Sequence, residues 1–184
     1  MKMMKNGSNR QWISLLAIAF LLFIGLSCNS EKTEYYQEHL LGTKPVSGEE
    51  LINFTPIAGE TIYVPAYSHV YHADRRVIFL TTTLSVHNTD PKNTVLVKSV
   101  DYYNSAGQLL RHCLGEPIRL LPLATMEYVI AEKFTTGGFG ANFMVDWVAD
   151  TKVNEPIVEA VMIGTAGQQG ISFLSAGRVV KKMD

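Results

Sequence analysis

The chain predicts an all-β domain, folded as an antiparallel two-sheet sandwich of about seven or eight strands. Three observations lead there. From Glu60 onward, β-branched and aromatic runs recur roughly every ten residues. Turn residues separate them. No part of that region carries the apolar spacing of a long amphipathic helix.

Thr61 to Tyr67 opens the series, and Pro65 within it lacks a ladder donor, which suggests an edge position or a bulge. Val77 to Asn88 is the clearest strand: Leu80, Thr82, Leu84 and Val86 share one face, and Thr81, Thr83 and Ser85 share the other. Asn88-Thr89-Asp90-Pro91 is turn chemistry, after which Val95 to Tyr103 runs back. Ser105-Ala106-Gly107 turns the chain again, so that Leu109 to Leu114 can pair with the preceding strand as a hairpin. Later strands are expected at Met126 to Ala131, Asn142 to Ala149, Ile157 to Thr165, Ile171 to Leu174 and Arg178 to Lys181, with Pro117, Pro122 and Pro156 between runs. Many short strands without helices fit an immunoglobulin-like sandwich, because each sheet must bury its apolar face against another layer.

The first residues read differently. A basic start with Lys2, Lys5 and Arg10 precedes an apolar run from Ile13 to Leu26. That run is about 14 residues, too short to cross roughly 30 Å of hydrocarbon but suited to a signal-peptide core. Leu26-Ser27-Cys28 resembles the lipobox of bacterial lipoproteins, with Gly25 where the usual pattern has Leu. Lipidation of Cys28 is therefore expected, an ordinary secretory signal or an uncleaved anchor being the alternatives. Two or three acyl chains anchor stably, where one would not. Asn29 follows the cysteine in place of the Asp that retains enteric lipoproteins at the inner membrane, so an outer-membrane position facing the periplasm is favoured, with cell-surface display as the variant. The expected organisation is a signal peptide over 1–27, a lipidated N-terminus and polar tether over 28–59 with a helical turn near Tyr35 to Leu41, and the sandwich over 60–184.

Charge and cysteines narrow the function classes. Without the three leader cations, 13 of the 16 basic residues face 17 acidic ones, a net charge of −4. Nucleic acid, which demands clustered positive charge, is not an expected partner. If Cys28 carries lipid, Cys113 has no partner for an internal disulfide and is expected to be a buried apolar thiol.

Several segments taken in order resemble a bacterial family known as domain of unknown function 3124. They are Val64-Pro65-Ala66-Tyr67-Ser68-His69-Val70-Tyr71-His72 with Arg75-Arg76; Leu84-Ser85-Val86-His87-Asn88-Thr89-Asp90-Pro91; Ser99-Val100-Asp101-Tyr102-Tyr103; Gly137-Gly138-Phe139-Gly140-Ala141-Asn142-Phe143; and Pro156 through Thr165. The likeness spans roughly Thr61 to Arg178. It implies an envelope lipoprotein and transfers no catalytic residue. His87 stands where this pattern suggests a different polar residue.

Candidate site residues follow from side-chain chemistry. His69, His72 and Asp74, joined by His87 or His112, could hold zinc or copper, although on an extended segment His72 and Asp74 would share a face and His69 would point away. Asp74-Arg75-Arg76 could present a cationic spot to an anionic group. Two glycine-rich loops, Gly137, Gly138, Gly140 and Asn142, and Gly164, Gly167 and Gly170, could contact a ligand at one end of the sandwich; the second lacks the Lys and Ser/Thr of a phosphate-binding loop. His112 and Cys113 are strand neighbours and would face opposite ways, which argues against an activated thiol. Tyr102, Tyr103, Phe143 and Trp147 read as sheet packing rather than a sugar platform. No catalytic residue and no cofactor is assigned. The leading expectation is a non-catalytic binding or assembly module for an envelope protein or glycan; a metal or small-ligand sensor and an unrecognised envelope hydrolase are the alternatives. The expected site would form only if the two glycine loops and the histidine segment meet.

Overall fold

The computed structural model describes residues 36–39, 42–166 and 168–183. The signal-peptide and lipidation assignments, including Cys28, and the loop residue Gly167 lie outside them. The strands are β1 (Tyr36–His39), β2 (Thr43–Pro45), β3 (Ala58–Pro65), β4 (His69–His72), β5 (Arg76–Phe79), β6 (Thr81–His87), β7 (Val95–Tyr103), β8 (Leu109–His112), β9 (Ile118–Leu120), β10 (Thr125–Ile130), β11 (Asn142–Ala149), β12 (Ile157–Ala166), β13 (Gln169–Ala176) and β14 (Arg178–Lys182). One short helix, α1 (Gly48–Ile52), and a 3-10 turn at Thr135–Gly137 complete the set among the described residues.

Every strand pair among the described residues is antiparallel. One sheet runs β1-β10-β6-β12-β13; the other runs β14-β3-β11-β7-β9-β2, with β8 also on β7. The sandwich of the sequence reading is correct, with more strands than the seven or eight expected. Its core is the alternate face of each strand: Thr82, Leu84 and Val86 of β6 and Met126, Tyr128 and Ile130 of β10 meet Val64 of β3, Phe143 and Val145 of β11 and Val100 and Tyr102 of β7. Each such large side chain removed from water contributes about 1.5–3 kcal/mol. The Thr82 hydroxyl donates to the Tyr67 carbonyl at 3.2 Å, which satisfies the polar atom within that face.

Three expectations are corrected. The run from Val77 to Asn88 is two strands: β5 pairs with β4, and at Leu80, whose N–H donates to the Ser68 carbonyl at 3.0 Å, the chain passes into β6. The segment expected as a tether is structured from Tyr36, because β1 pairs with β10 and β2 pairs with β9. The helical turn placed near Tyr35 to Leu41 gives way to β1, and the helix comes later, where the Ser47 side chain caps the Glu50 N–H at 3.2 Å. Val46, Leu51 and Phe54 then cover Leu96 and Val148 on the outer face of the larger sheet.

Candidate functional site: an aromatic hairpin at one end of the sandwich

Beyond Pro65, β3 leaves its sheet and the chain crosses to the other through a protruding hairpin. Ala66 N–H donates to the Ala141 carbonyl at 2.8 Å, and Ser68, which is buried, donates to the Gly138 carbonyl from its N–H at 3.3 Å and its hydroxyl at 3.0 Å. These bonds fasten the base of the hairpin to the first glycine loop. The strands then pair His69 with Phe79, Val70 with Ile78, Tyr71 with Val77 and His72 with Arg76. Asp74 and Arg75 have φ of 47° and 63°, and Arg76 N–H returns to the Ala73 carbonyl at 3.1 Å. Both residues thus lie in the left-handed region within the three-residue tip, 73–75, between the paired His72 and Arg76.

Period-two alternation divides the hairpin into faces. Val70 and Ile78 pack on the core, whereas His69, Tyr71, Val77 and Phe79 look away from it. Phe139, carried by the first glycine loop, joins that outward face with ring centroids 5.2 Å from Tyr67, 5.8 Å from Tyr71 and 6.2 Å from His69. Tyr67 also meets Phe173 of β13 edge-on at 5.7 Å. The patch is solvent-facing: Tyr71 is 59% exposed, Phe139 46%, and Phe79 and Val77 each 43%. His72, Asp74, Arg75 and Arg76 are exposed around the tip.

The glycines serve this arrangement by making room. A side chain at Gly137 would run into the Tyr102 hydroxyl, and Gly138, at φ 76°, would place one 2.5 Å from the Ser105 hydroxyl. Gly164 of β12 lies so close beneath β5 that a Cβ there would collide with the Phe79 carbonyl. The histidine segment and both glycine-rich stretches therefore meet at one end, which also holds Asn142, opposite Pro65 and Tyr103. Gly140 and Gly170 meet no close neighbour that would demand glycine. An open groove of about 610 Å³ adjoins Phe79, lined also by Thr81, Ala131, Glu132, Lys133 and Thr135.

The proposed ligand set does not assemble. Asp74 sits in the turn rather than on an extended segment, so it shares no face with His72. His69 engages Ser68 Oγ through Nδ1 at 3.0 Å and the Tyr71 hydroxyl through Nε2 at 3.4 Å. His87 lies at the far end of β6, roughly 20 Å along the strand from Thr81. There its Nδ1 meets Thr125 Oγ1 at 2.8 Å and its Nε2 lies 3.9 Å from Glu159. His112 pairs with Asp101 at 2.8 Å on the other sheet. Among the described residues no three His, Cys, Asp or Glu side chains converge as a metal site would need.

Cys113 is buried, as are Tyr102, Phe143 and Trp147, in agreement with the packing roles read from sequence. Side-chain chemistry alone missed Tyr67, Tyr71, Phe79, Phe139 and Phe173. The available signal was the alternation Tyr67-x-His69-x-Tyr71, which puts three rings on one face of an extended segment. A second, narrower cleft of about 160 Å³ crosses β14, β3 and β11. Lys182, on its wall, places Nζ 3.0 Å from Glu60 and 3.4 Å from Glu155. Hydrogen bonding to Glu60, then to Glu155, holds the Lys182 ammonium above its usual range.

No curated protein and no solved structure matches the chain. A family model described as protein of unknown function (DUF3124) matches residues 59–180, which take in the hairpin, both glycine stretches and most of the two sheets. The chain belongs to that family.

Proposed function

We propose that this protein is a lipid-anchored envelope lipoprotein whose sandwich acts as a non-catalytic binding module, offering the hairpin and Phe139 to an envelope protein. One observation carries the binding reading: Tyr71, Phe79, Val77 and Phe139 form a contiguous exposed apolar face, edged by Arg75 and Arg76. Aromatic residues and arginine are the types enriched at interface centres, and contiguous exposed apolar patches mark interaction sites. The anchoring reading is supported by the leader and by Cys28 within Leu26-Ser27-Cys28. An acylated thiol there would moor the domain in the envelope, with the outer membrane as the favoured site.

A glycan is the second reading. Tyr71 and Phe139 are tilted by only 30° at 5.8 Å, a surface on which a sugar ring could lie. The metal-sensor reading of His69, His72 and Asp74 loses support because His69 engages Ser68 and Tyr71 and Asp74 sits in the turn, off the face of His72, and nothing in the geometry favours a hydrolase.

Capture from detergent-solubilised membranes tests both parts. The native chain, Cys28→Ser and the pair Tyr71→Ser with Phe139→Ser are compared. The double variant is expected to retain its melting temperature and to recover at least about ten-fold less partner, since a central aromatic contributes about 2 kcal/mol. Cys28→Ser is expected in the soluble fraction. Undiminished recovery from the double variant would refute the binding surface, and membrane-bound Cys28→Ser would refute the anchor. Recovery of polysaccharide instead of protein would select the second reading.

A further inference from the structure

Strand edges expose unpaired N–H and C=O groups, and soluble proteins guard them with short strands, charges, proline or bulges. In the two sheets of the sandwich, the outer strands among the described residues are guarded in those ways, with one exception. In the larger sheet, β14 has five residues, carries Arg178, Lys181 and Lys182, and shifts register between Val179 and Lys181. β2 is three residues long with Lys44 and Pro45, and β8 is four residues long with Arg111. In the smaller sheet, β1 has four residues including Glu38.

The opposite edge of that sheet is β13, eight residues reading Gln-Gly-Ile-Ser-Phe-Leu-Ser-Ala, without charge or proline. Its pairing with β12 is unbroken from Glu159–Ala176 to Ala166–Gln169. Among the described residues no strand lies on its other side. Six of its eight residues are exposed, Leu174 to 52%.

We infer that β13 is a self-association edge, on which the β13 of a second copy adds antiparallel to join two five-stranded sheets into one continuous sheet. The choice of a second copy follows from charge. Two-fold pairing sets a strand against its own copy, so a strand whose charges share one sign brings those charges together across the axis. That penalises homotypic pairing of β14, β8, β2 or β1 and leaves β13 free of it. In a register centred on Phe173, Leu174 of each copy lies beside Ser172 of the other, so a small hydroxyl leaves room for the leucine. β13 adjoins the aromatic cluster through Phe173, which meets Tyr67, but pairing along its free edge uses backbone groups of 169–176 and no residue of the hairpin, so the inference does not rest on the proposed binding surface.

The experiment follows the full-length protein in detergent by sedimentation velocity across a wide concentration range, with hydrogen exchange read over residues 169–176. The native chain is expected to dimerise reversibly, with amide protection in β13 rising as the dimer forms. Ser172→Lys and Leu174→Lys, both exposed positions, are expected to weaken dimerisation at least ten-fold, while Val180→Lys on β14 leaves it unchanged. A monomer at all concentrations would overturn the inference. So would a dimer that survives both β13 variants and adds no protection in that strand.

Discussion

Asp90 shows how single residues hold the end of the sandwich opposite the hairpin. It is buried, and its carboxylate accepts three backbone N–H groups: Lys92 at 2.9 Å and Asn93 at 2.8 Å on Oδ1, and Asn154 at 3.1 Å on Oδ2. Asn88 completes the knot by donating from Nδ2 to the carbonyls of Asn93, Leu120 and Leu121 at 2.9, 3.1 and 3.0 Å. Such bonds favour the ionised form, so the N–H of Lys92, then that of Asn93, hold Asp90 below the usual 3.8 against the opposing effect of burial. A depressed carboxyl contributes stability that is complete above its unfolded value and lost as the pH falls through its folded value. The melting temperature is therefore expected to fall below about pH 4, with Asp90→Asn less stable at neutral pH and showing a shallower acid decline. Calorimetry across pH checks this; an unchanged acid decline in the variant would contradict it. The family segment containing Asn88-Thr89-Asp90-Pro91 is thus explained by architecture at these two residues rather than by chemistry on a ligand.

At the scale of elements, the hairpin of β4 and β5 carries a local strain that can be removed. Asp74 and Arg75 both occupy the left-handed region, which costs a non-glycine residue roughly 1–2 kcal/mol. Arg75→Gly is accordingly expected to raise stability by up to about 1 kcal/mol in thermal or denaturant unfolding; destabilisation would show that the guanidinium contributes more to the fold than the turn costs. The same hairpin marks where sequence reading stops. Val95 to Tyr103 and Asn142 to Ala149 were legible residue for residue because each is bounded by turn residues and pairs on both sides. Leu80 continues the alternation of its neighbours, so nothing local announces the break that its bond to Ser68 imposes. β1, β2 and β9 are three or four residues long, too short for a period, and form because distant strands supply their partners. His69 and His72 drew attention as ligands, whereas the alternating rings beside them, visible in the same segment, define the surface. The meeting of that segment with both glycine stretches is a tertiary fact that single-sequence patterns do not contain.

For the whole molecule, the two ends of the sandwich differ in kind. One is tied by the Asn88 and Asp90 hydrogen bonds, which leave their polar groups satisfied among backbone partners. The other projects a fastened hairpin with an apolar face in water, an arrangement that stability alone does not call for and that a partner would cover. Glycines at 137, 138 and 164 bring the segments close enough to build it. On the proposed binding reading, this end is the surface through which the protein meets a partner. The most direct test of that reading places a photoreactive residue at Tyr71 in living cells, with the exposed Lys92 at the opposite end as control. A discrete adduct is expected from position 71 and none from position 92. No adduct from 71, or the same adducts from both, would contradict that reading.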